Sequence, residues 1–138
     1  MSILITGGLG YIGSHTCVEL LNNNYEVIII DNLCNSQESI VGRIKQITNK
    51  NFKLYIGDVR DKELLNKIFQ ENEINSVIHF AGLKSVGESN QMPLEYYDNN
   101  LGSMITLLEV MNNYNVKDLV FSSSATVYGD SKIVPVTE

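Results

Sequence analysis

The sequence has little of what several classes of protein require. Its two cysteines, Cys17 and Cys34, are too few for a disulfide framework and indicate free thiols in a reducing cytoplasm. Its two histidines, His15 and His79, lie far apart with no cysteine or carboxylate cluster at ligand spacing, so no metal site is predicted. No apolar run approaches the length of a membrane span, and the N-terminus leads directly into a strand. We therefore expect a cytoplasmic chain with neither a metal nor a membrane partner.

An excess of basic residues is also absent. Ten lysines and arginines stand against sixteen acidic residues, and the resulting net charge of −6 argues against a nucleic-acid partner. Apolar residues make up 43% of the 138 positions and charged residues 19%, as in ordinary globular proteins. The length fits one domain with a substantial core, and no linker, low-complexity tract or exact repeat interrupts it.

The first 31 residues carry the most informative pattern. A buried strand over 2–6 is followed by a glycine turn, a helix beginning near Ser14, and a second buried strand over 25–31. The turn reads as G-x-x-G-x-x-G from Gly7 and as G-x-G-x-x-G from Gly8, and both patterns share Gly10 and Gly13. Such glycines make a tight turn, let the backbone approach a pyrophosphate, and let the helix lie close to the sheet. The pattern predicts a dinucleotide-binding unit.

A single carboxylate indicates which dinucleotide is bound. Asp31 ends the second strand, where it can accept a hydrogen bond from the ribose 2′-hydroxyl of an adenosine. The helix after the glycines directs its free N–H groups and positive dipole end at the phosphates. A 2′-phosphate would be repelled by Asp31, and no arginine or lysine follows it in D-N-L-C-N-S. We therefore expect NAD rather than NADP.

Helices and strands continue to alternate after Asp31. Ser36 is expected to cap a helix reaching about Thr48, and Asp61 to cap a helix after a strand over 52–56. A strand over 76–81 precedes a long helix that begins near Pro93, and a fifth strand covers 118–123. The core-facing side of the long helix is predicted to comprise seven residues: Leu94, Tyr97, Leu101, Met104, Ile105, Leu108 and Met111.

Five apolar strands separated by amphipathic helices predict an α/β fold. It would be a doubly wound parallel sheet of the Rossmann type, with strand order 3-2-1-4-5. Ligands of such sheets bind beyond the carboxyl ends of the strands. The unusual polar residues gather there, in five segments: 7–13, 31–36, residue 58, 81–84 and 122–126.

Several motifs together resemble the UDP-glucose 4-epimerase family of the extended short-chain dehydrogenase/reductase superfamily. They are T-G-G-L-G-Y-I-G-S-H-T, D-N-L-C-N-S, H-F-A-G-L-K-S-V-G-E-S, P-L-E-Y-Y-D-N-N and F-S-S-S-A-T-V-Y-G. The first and last also occur in other nucleotide-sugar-modifying relatives. The segment around Lys84 and the D-N-L-C-N-S loop are more particular to the epimerases. The resemblance extends over essentially the whole chain.

The resemblance implies an NAD site with a role for each position. The pyrophosphate contacts fall on the turn and the start of the helix, at Gly7, Gly10, Tyr11, Ile12 and Gly13. The adenosine contacts fall at Asp31, Asn32, Asn35, Ser36, Asp58 and Val59. The remaining cofactor contacts fall at Phe80, Ala81, Gly82, Lys84, Asn99 and Ser122. For Asp58 and Asn99 a purely structural role, as a turn residue and as a helix hydrogen-bonding residue, is the alternative.

The resemblance also implies a reaction, the interconversion of UDP-galactose and UDP-glucose through a transient 4-keto sugar. Ser124 matches the hydroxyl that contacts the sugar 4-oxygen and supports proton transfer, and Thr126 belongs to the same substrate contact. A structural alternative is that residues 122–124 simply end the fifth strand. The family implies galactose metabolism, a UDP-hexose substrate and a homodimer for the full-length enzyme.

The family's catalytic base is a tyrosine with a lysine one helical turn later, beyond the fifth strand. The chain ends at Glu138, before that helix is expected, and residues 1–138 would therefore be an incomplete NAD-binding domain without its sugar-nucleotide domain. Tyr128 and Lys132 fit Y-x-x-x-K, but Gly129 and Asp130 between them indicate a turn rather than a helix. We expect the chain alone to be inactive, with uncovered apolar faces that promote self-association.

Two alternatives to this function remain. A related NAD-dependent sugar-nucleotide dehydratase or decarboxylase shares the glycine turn and the region of Ser124. The chain could also be a non-catalytic module that only binds NAD, or one that is completed by another polypeptide.

Overall fold

The computed structural model describes residues 1–130 and 133–137. Its strands are β1 (Ser2–Thr6), β2 (Glu26–Asp31), β3 (Lys53–Ile56), β4 (Ile74–His79) and β5 (Asp118–Phe121). Its helices are α1 (Tyr11–Asn22), α2 (Ser39–Thr48), α3 (Lys62–Glu71), α4 (Val86–Gln91) and α5 (Pro93–Asn113), followed by a short 3-10 helix (Ala125–Tyr128).

The five strands form one parallel sheet in the order β3-β2-β1-β4-β5. This confirms the predicted fold class and strand order. The central strand β1 is buried over its whole length, because it has a neighbour on each side and helices on both faces. The expected strand bounds differ from the observed ones by one or two residues, most at the ends of β4 and β5.

The core has two layers, one on each face of the sheet. Helices α1 and α2 cover one face, where Cys17, Leu21 and Ile44 pack on the side chains of β1 and β2. Helices α3 and α5 cover the other face, where Leu65 and Leu107 are fully buried against β1, β2 and β4. The doubly wound arrangement thus leaves the carboxyl ends of the strands open for a site.

Of the three helix starts that were predicted from a capping residue or a proline, two are observed and one is not. Asp61 caps α3, since its carboxylate accepts from the N–H groups of Glu63 and Leu64, and Pro93 is the first residue of α5. The expectation that Ser36 caps the next helix is wrong: α2 begins at Ser39, and the Ser36 hydroxyl instead donates to Asp31. The aspartate competes successfully for this hydroxyl because an ionised acceptor makes the stronger hydrogen bond.

The predicted core face of α5 is also largely wrong. Five of its seven residues are exposed, namely Leu94, Tyr97, Leu101, Ile105 and Leu108, while Met104 is half-buried and Met111 is buried. The helix packs instead through Tyr96, Ser103, Leu107, Val110 and Met111. Both faces of α5 carry apolar residues at helical spacing, and the structure buries the one whose Leu107, Val110 and Met111 join the core on β1, β2 and β4.

Candidate functional site

A cavity lies where the carboxyl ends of β1, β2, β3 and β4 meet. Twelve of the predicted cofactor residues line it: Gly7, Gly10, Asp31, Asn32, Asn35, Ser36, Asp58, Val59, Phe80, Ala81, Gly82 and Asn99. Five lining residues were not predicted as contacts: Ile30, Cys34, Gly57, Leu83 and Ser103. The cavity thus brings together segments that are far apart in the chain, from Gly7 to Ser103, as the strand order requires.

The glycine turn forms the wall next to β1. Gly7 has a φ of +68°, and a Cβ there would lie 2.8 Å from the backbone nitrogen of Ala81. A Cβ on Gly13 would collide with the carbonyl oxygen of Gly7, so these two turns of backbone touch directly. Both positions therefore require glycine, one for its conformation and both for the close approach.

Tyr11, Ile12 and Gly13 belong to the first turn of α1 rather than to the loop before it. The N-cap residue, Gly10, has no side chain to accept from their N–H groups. Tyr11 is 85% and Ile12 58% exposed, so the start of the helix is open to solvent. Unpaired amides at a helix N-terminus form a natural binding site for an anion.

Asp31 is buried and has three partners within its own chain. Its Oδ2 accepts from the N–H of Leu9 at 2.9 Å, and its Oδ1 accepts from the N–H of Leu33 at 2.9 Å and the hydroxyl of Ser36 at 2.7 Å. A carboxylate has about four acceptor positions, so about one remains for a ligand. Asp31 also holds Leu33 at a φ of +60°, which costs a leucine about 1–2 kcal/mol and is tolerated only where other contacts impose it.

Asp58 follows β3 and is held by Arg60. The backbone N–H and Nε of Arg60 donate to Oδ1 at 2.8 and 3.0 Å, and Nη2 donates to Oδ2 at 2.8 Å. Hydrogen bonds from Arg60 keep the pKa of the Asp58 carboxyl below its usual value, and the aspartate in turn raises the pKa of Arg60. The carboxylate is therefore charged at neutral pH.

The loop after β4 is fixed by Asn100, which the sequence did not single out. Its Oδ1 accepts from the N–H of Leu83 at 2.8 Å, and its Nδ2 donates to the carbonyl of Leu83 at 3.0 Å. This double hydrogen bond holds the backbone between Gly82 and Lys84 against α5. The sequence signal for this residue is the pair of asparagines in D-N-N, and the pair does not show which asparagine faces the loop. Lys84 itself is not part of the cavity lining.

His79 and Thr6 lie fully buried behind the cavity. The Thr6 hydroxyl accepts from the N–H of Ala81 at 3.2 Å and lies 2.7 Å from Nδ1 of His79, to which its proton can be donated. With the Thr6 proton donated to Nδ1, the imidazole is neutral and carries its own proton on Nε2. Burial, with a smaller contribution from the charge of Lys84, lowers the pKa of His79 to about 4.

Ser122, a predicted cofactor residue, and the predicted substrate residues Ser124 and Thr126 lie beyond β5, outside the cavity lining. The N–H of Ser122 donates to the carbonyl of His79 at 3.1 Å, which extends the strand pairing by one bond. Ser124 is exposed and caps the 3-10 helix, its Oγ accepting from the N–H of Thr126 at 3.4 Å and the Thr126 hydroxyl at 3.0 Å. Residues 122–124 therefore do end the fifth strand and begin the next turn, as the structural alternative expects, and the Ser124 hydroxyl stays accessible.

The Y-x-x-x-K match does not lie on a continuous helix. Tyr128 ends the 3-10 helix, and Gly129 after it has a φ of +68°. Lys132 lies outside the described residues. Among residues 1–130 and 133–137, no group of three or more histidines, cysteines and carboxylates could hold a metal, and no helix is long and apolar enough to cross a membrane.

Comparison with known proteins gives one consistent family. Residues 4–138 match the family model described as GDP-mannose 4,6 dehydratase. The chain is 62% identical to UDP-glucose 4-epimerase of Haemophilus influenzae and 56% identical to that of Bacillus subtilis, over 138 residues in each case. It spans 41% of the length of these curated relatives.

Solved structures agree with the sequence relatives. UDP-glucose 4-epimerase from Bifidobacterium longum, in complex with NAD+ and UDP, is 56% identical with a TM-score of 0.97, covering all of this chain and 41% of that one. The Thermus thermophilus enzyme in complex with NAD is 34% identical with a TM-score of 0.89, covering all of this chain and 42% of that one. The resemblance read from the motifs is thus confirmed. The chain belongs to the family of the GDP-mannose 4,6 dehydratase model, and over its whole length it is similar to the N-terminal part of UDP-glucose 4-epimerases.

Proposed function

We propose that this chain binds NAD in the cavity at the carboxyl ends of the strands and is the NAD-binding part of a UDP-glucose 4-epimerase. The observation that carries the proposal is that twelve predicted cofactor residues from five separate segments line one cavity. The structures of the relatives from B. longum and T. thermophilus, which hold NAD, support the same ligand.

The described residues fit an NAD molecule. The open first turn of α1 offers N–H groups to the pyrophosphate, and Asp31 keeps about one acceptor position for a ribose hydroxyl. Asp58 and Val59 lie beside the position proposed for the adenine, while Phe80 to Gly82 and Asn99 line the path toward the nicotinamide. Lys84, in the loop after β4, and Ser122, directly after β5, do not line the cavity but remain proposed contacts of the cofactor.

When bound, NAD would supply the hydride-transfer chemistry at the sugar C4, and the residues of the cavity would hold and orient it. Ser124 is proposed to contact the sugar 4-oxygen, with Thr126 in the same contact. Both hydrogen bonds to Ser124 use its Oγ as an acceptor, so its own proton can be donated to a substrate oxygen.

The parent protein is proposed to be a cytoplasmic isomerase of galactose metabolism that acts on UDP-hexoses as a homodimer. Residues 1–138 would be its NAD-binding domain, and the sugar-nucleotide domain would lie outside this chain. Since the tyrosine and lysine of the family's catalytic helix have no helical counterpart in the described residues, we propose that the 138-residue chain alone is inactive.

Calorimetric titration tests the proposed cofactor. The purified chain should release heat with NAD and show a thermal shift, with a much weaker response to NADP, whose 2′-phosphate would meet the Asp31 carboxylate. The absence of both heat and thermal shift with NAD would contradict the binding role. The same preparation should convert UDP-galactose only negligibly, and turnover near that of a full-length relative would contradict the inactivity.

A sugar-nucleotide dehydratase or decarboxylase is the second candidate, because the matching family model carries a dehydratase description. Product analysis with a full-length protein that contains this sequence separates the two. A 4-epimer supports the first proposal, and a stable keto sugar supports the second.

A further inference from the structure

Arg60 occupies an unusual position between the cavity and helix α5. Three of its N–H groups hold both oxygens of the Asp58 carboxylate, as described above. Its remaining guanidinium nitrogen, Nη1, donates to Oδ2 of Asp98, which lies on α5 one residue before Asn99. The cavity lining includes Asp58 and Asn99 but not Arg60. Arg60 therefore contacts the loop and the helix from behind the cavity wall.

One acceptor position of Asp58 is held much more weakly than the others. Besides the Nη2 of Arg60, its Oδ2 receives only the side-chain amide of Asn32, at 3.4 Å. This distance is close to the limit for a hydrogen bond, whereas the contacts from Arg60 are 2.8–3.0 Å. Asn32 and Asp58 both line the cavity, so a donor entering it can replace the Asn32 amide at little cost.

The fork of Arg60 determines where that acceptor points. A guanidinium that binds a carboxylate through two parallel N–H groups fixes the plane of the carboxylate as well as its position. Without this fork, the Asp58 carboxylate, whose side chain is 31% exposed, would keep the backbone N–H of Arg60 on Oδ1 but lose the contact that fixes Oδ2. Lysine cannot replace the fork, because an ammonium group acts as a single point of charge.

We propose that Arg60 is a positioning residue for the base of the bound dinucleotide. It fixes Asp58 so that Oδ2 accepts an N–H from the adenine 6-amino group, which replaces the Asn32 amide. Its bond to Asp98 keeps this loop in register with the segment of α5 that carries Asn99. The inference rests on the proposed NAD site and extends it to a residue that does not touch the ligand.

The test compares two ligands in three variants of the 138-residue chain. The ligands are NAD and the NAD analogue whose base is unsubstituted purine, which lacks the 6-amino group. The variants are Arg60→Met, Arg60→Lys and, as a matched control, Lys62→Met. Lys62 also joins the start of α3 to α5, through a 2.7 Å ion pair with Glu109, but Glu109, unlike Asp58, does not line the cavity. Affinities are measured by calorimetry.

We expect Arg60→Met to weaken NAD binding about tenfold, because the hydrogen bond from the adenine 6-amino group to the charged Asp58 carboxylate is no longer aligned. The purine analogue should lose less than about threefold, since it makes no such bond. Arg60→Lys should fall between the parent chain and Arg60→Met for NAD, and Lys62→Met should change neither affinity.

Each other outcome is decisive. Equal losses for both ligands in Arg60→Met would show a merely structural role and overturn the inference, as would unchanged NAD binding. If the parent chain binds NAD but does not distinguish it from the purine analogue, the inference fails while the proposed function stands. If the parent chain binds neither ligand, the proposed function fails and the inference fails with it.

Discussion

At the scale of single residues, the site depends on glycine positions that leave no room for a side chain as well as on the side chains that line it. Gly13 lies in the first turn of α1 and its hydrogen position faces the carbonyl of Gly7. Gly42 lies on the exposed side of α2 with open space around it. The same substitution at these two helical glycines therefore has opposite expected effects.

Gly13→Ala should lower the free energy of unfolding by about 1–3 kcal/mol and weaken NAD binding, because its methyl group displaces the turn beneath the proposed pyrophosphate. Gly42→Ala should raise the free energy of unfolding by about 0.5–1 kcal/mol without changing NAD affinity, since alanine is the better helix former. Urea unfolding and calorimetric titration measure the two quantities. Equal stability of both variants would contradict the close contact at Gly13.

The acidic residues of the site show the same dependence on local partners. Asp31 was predicted from its place at the end of β2, and the structure confirms that it lines the cavity. Its bonds to Leu33 and Ser36 were not predictable, because they depend on how a six-residue loop closes on itself, and its bond to Leu9 depends on how a turn 22 residues earlier approaches β2. The same holds for Arg60 and Asn100, whose partners lie 38 and 17 residues away in the chain.

At the scale of elements, local signals predicted the starts of helices better than their faces. Asp61 and Pro93 mark helix starts through local effects that involve only the next few residues, so the sequence alone predicts them. The buried face of α5 depends on which side fits the sheet, and this is a property of distant residues. Periodicity alone selected the face with larger apolar residues, and the structure buries the other one.

The exposed face of α5 leads to a prediction about association. Leu94, Tyr97, Leu101, Ile105 and Leu108 form an apolar row along about four turns of helix, which is unusual for a surface that faces water. The chain should therefore self-associate as its concentration rises, and Leu101→Lys combined with Leu108→Lys should shift it toward the monomer in sedimentation velocity experiments.

Ile47→Lys is the matched control, because Ile47 is also an exposed apolar residue of a helix but stands alone on α2. It should leave the association unchanged. A chain that stays monomeric at every concentration, or an Ile47→Lys variant that dissociates as readily as the double variant, would contradict the role of the α5 face.

At the scale of the whole molecule, His79 connects the central strands behind the site. It bonds to Thr6 of β1, lies on β4, and stacks against Phe121 of β5 with ring centroids 5.9 Å apart. Its environment favours the neutral ring, since burial lowers its pKa from 6.5 to about 4. The stability of the whole sheet is therefore linked to pH.

The direction of this pH dependence follows from the number of protons that the folded and unfolded chains bind. Between pH 6.5 and pH 4 the unfolded chain protonates this histidine and the folded chain does not, so acid favours unfolding. The stabilisation is complete above pH 6.5 and is lost as the pH falls toward 4. From pH 7 to pH 5 the free energy of unfolding should decrease by about 2 kcal/mol from this residue alone.

His79→Asn isolates the contribution, because its Oδ1 can still accept from the Thr6 hydroxyl but does not titrate. The free energy of unfolding is measured with urea at pH 7 and at pH 5 in both proteins. Its decrease from pH 7 to pH 5 should be about 2 kcal/mol smaller in the variant than in the parent chain, because the other titrating groups contribute equally to both. The variant will be less stable than the parent at pH 7, since it leaves part of the ring's volume empty. The test is the change with pH, and equal changes in the two proteins would show that His79 is protonated in the folded chain as readily as in the unfolded one.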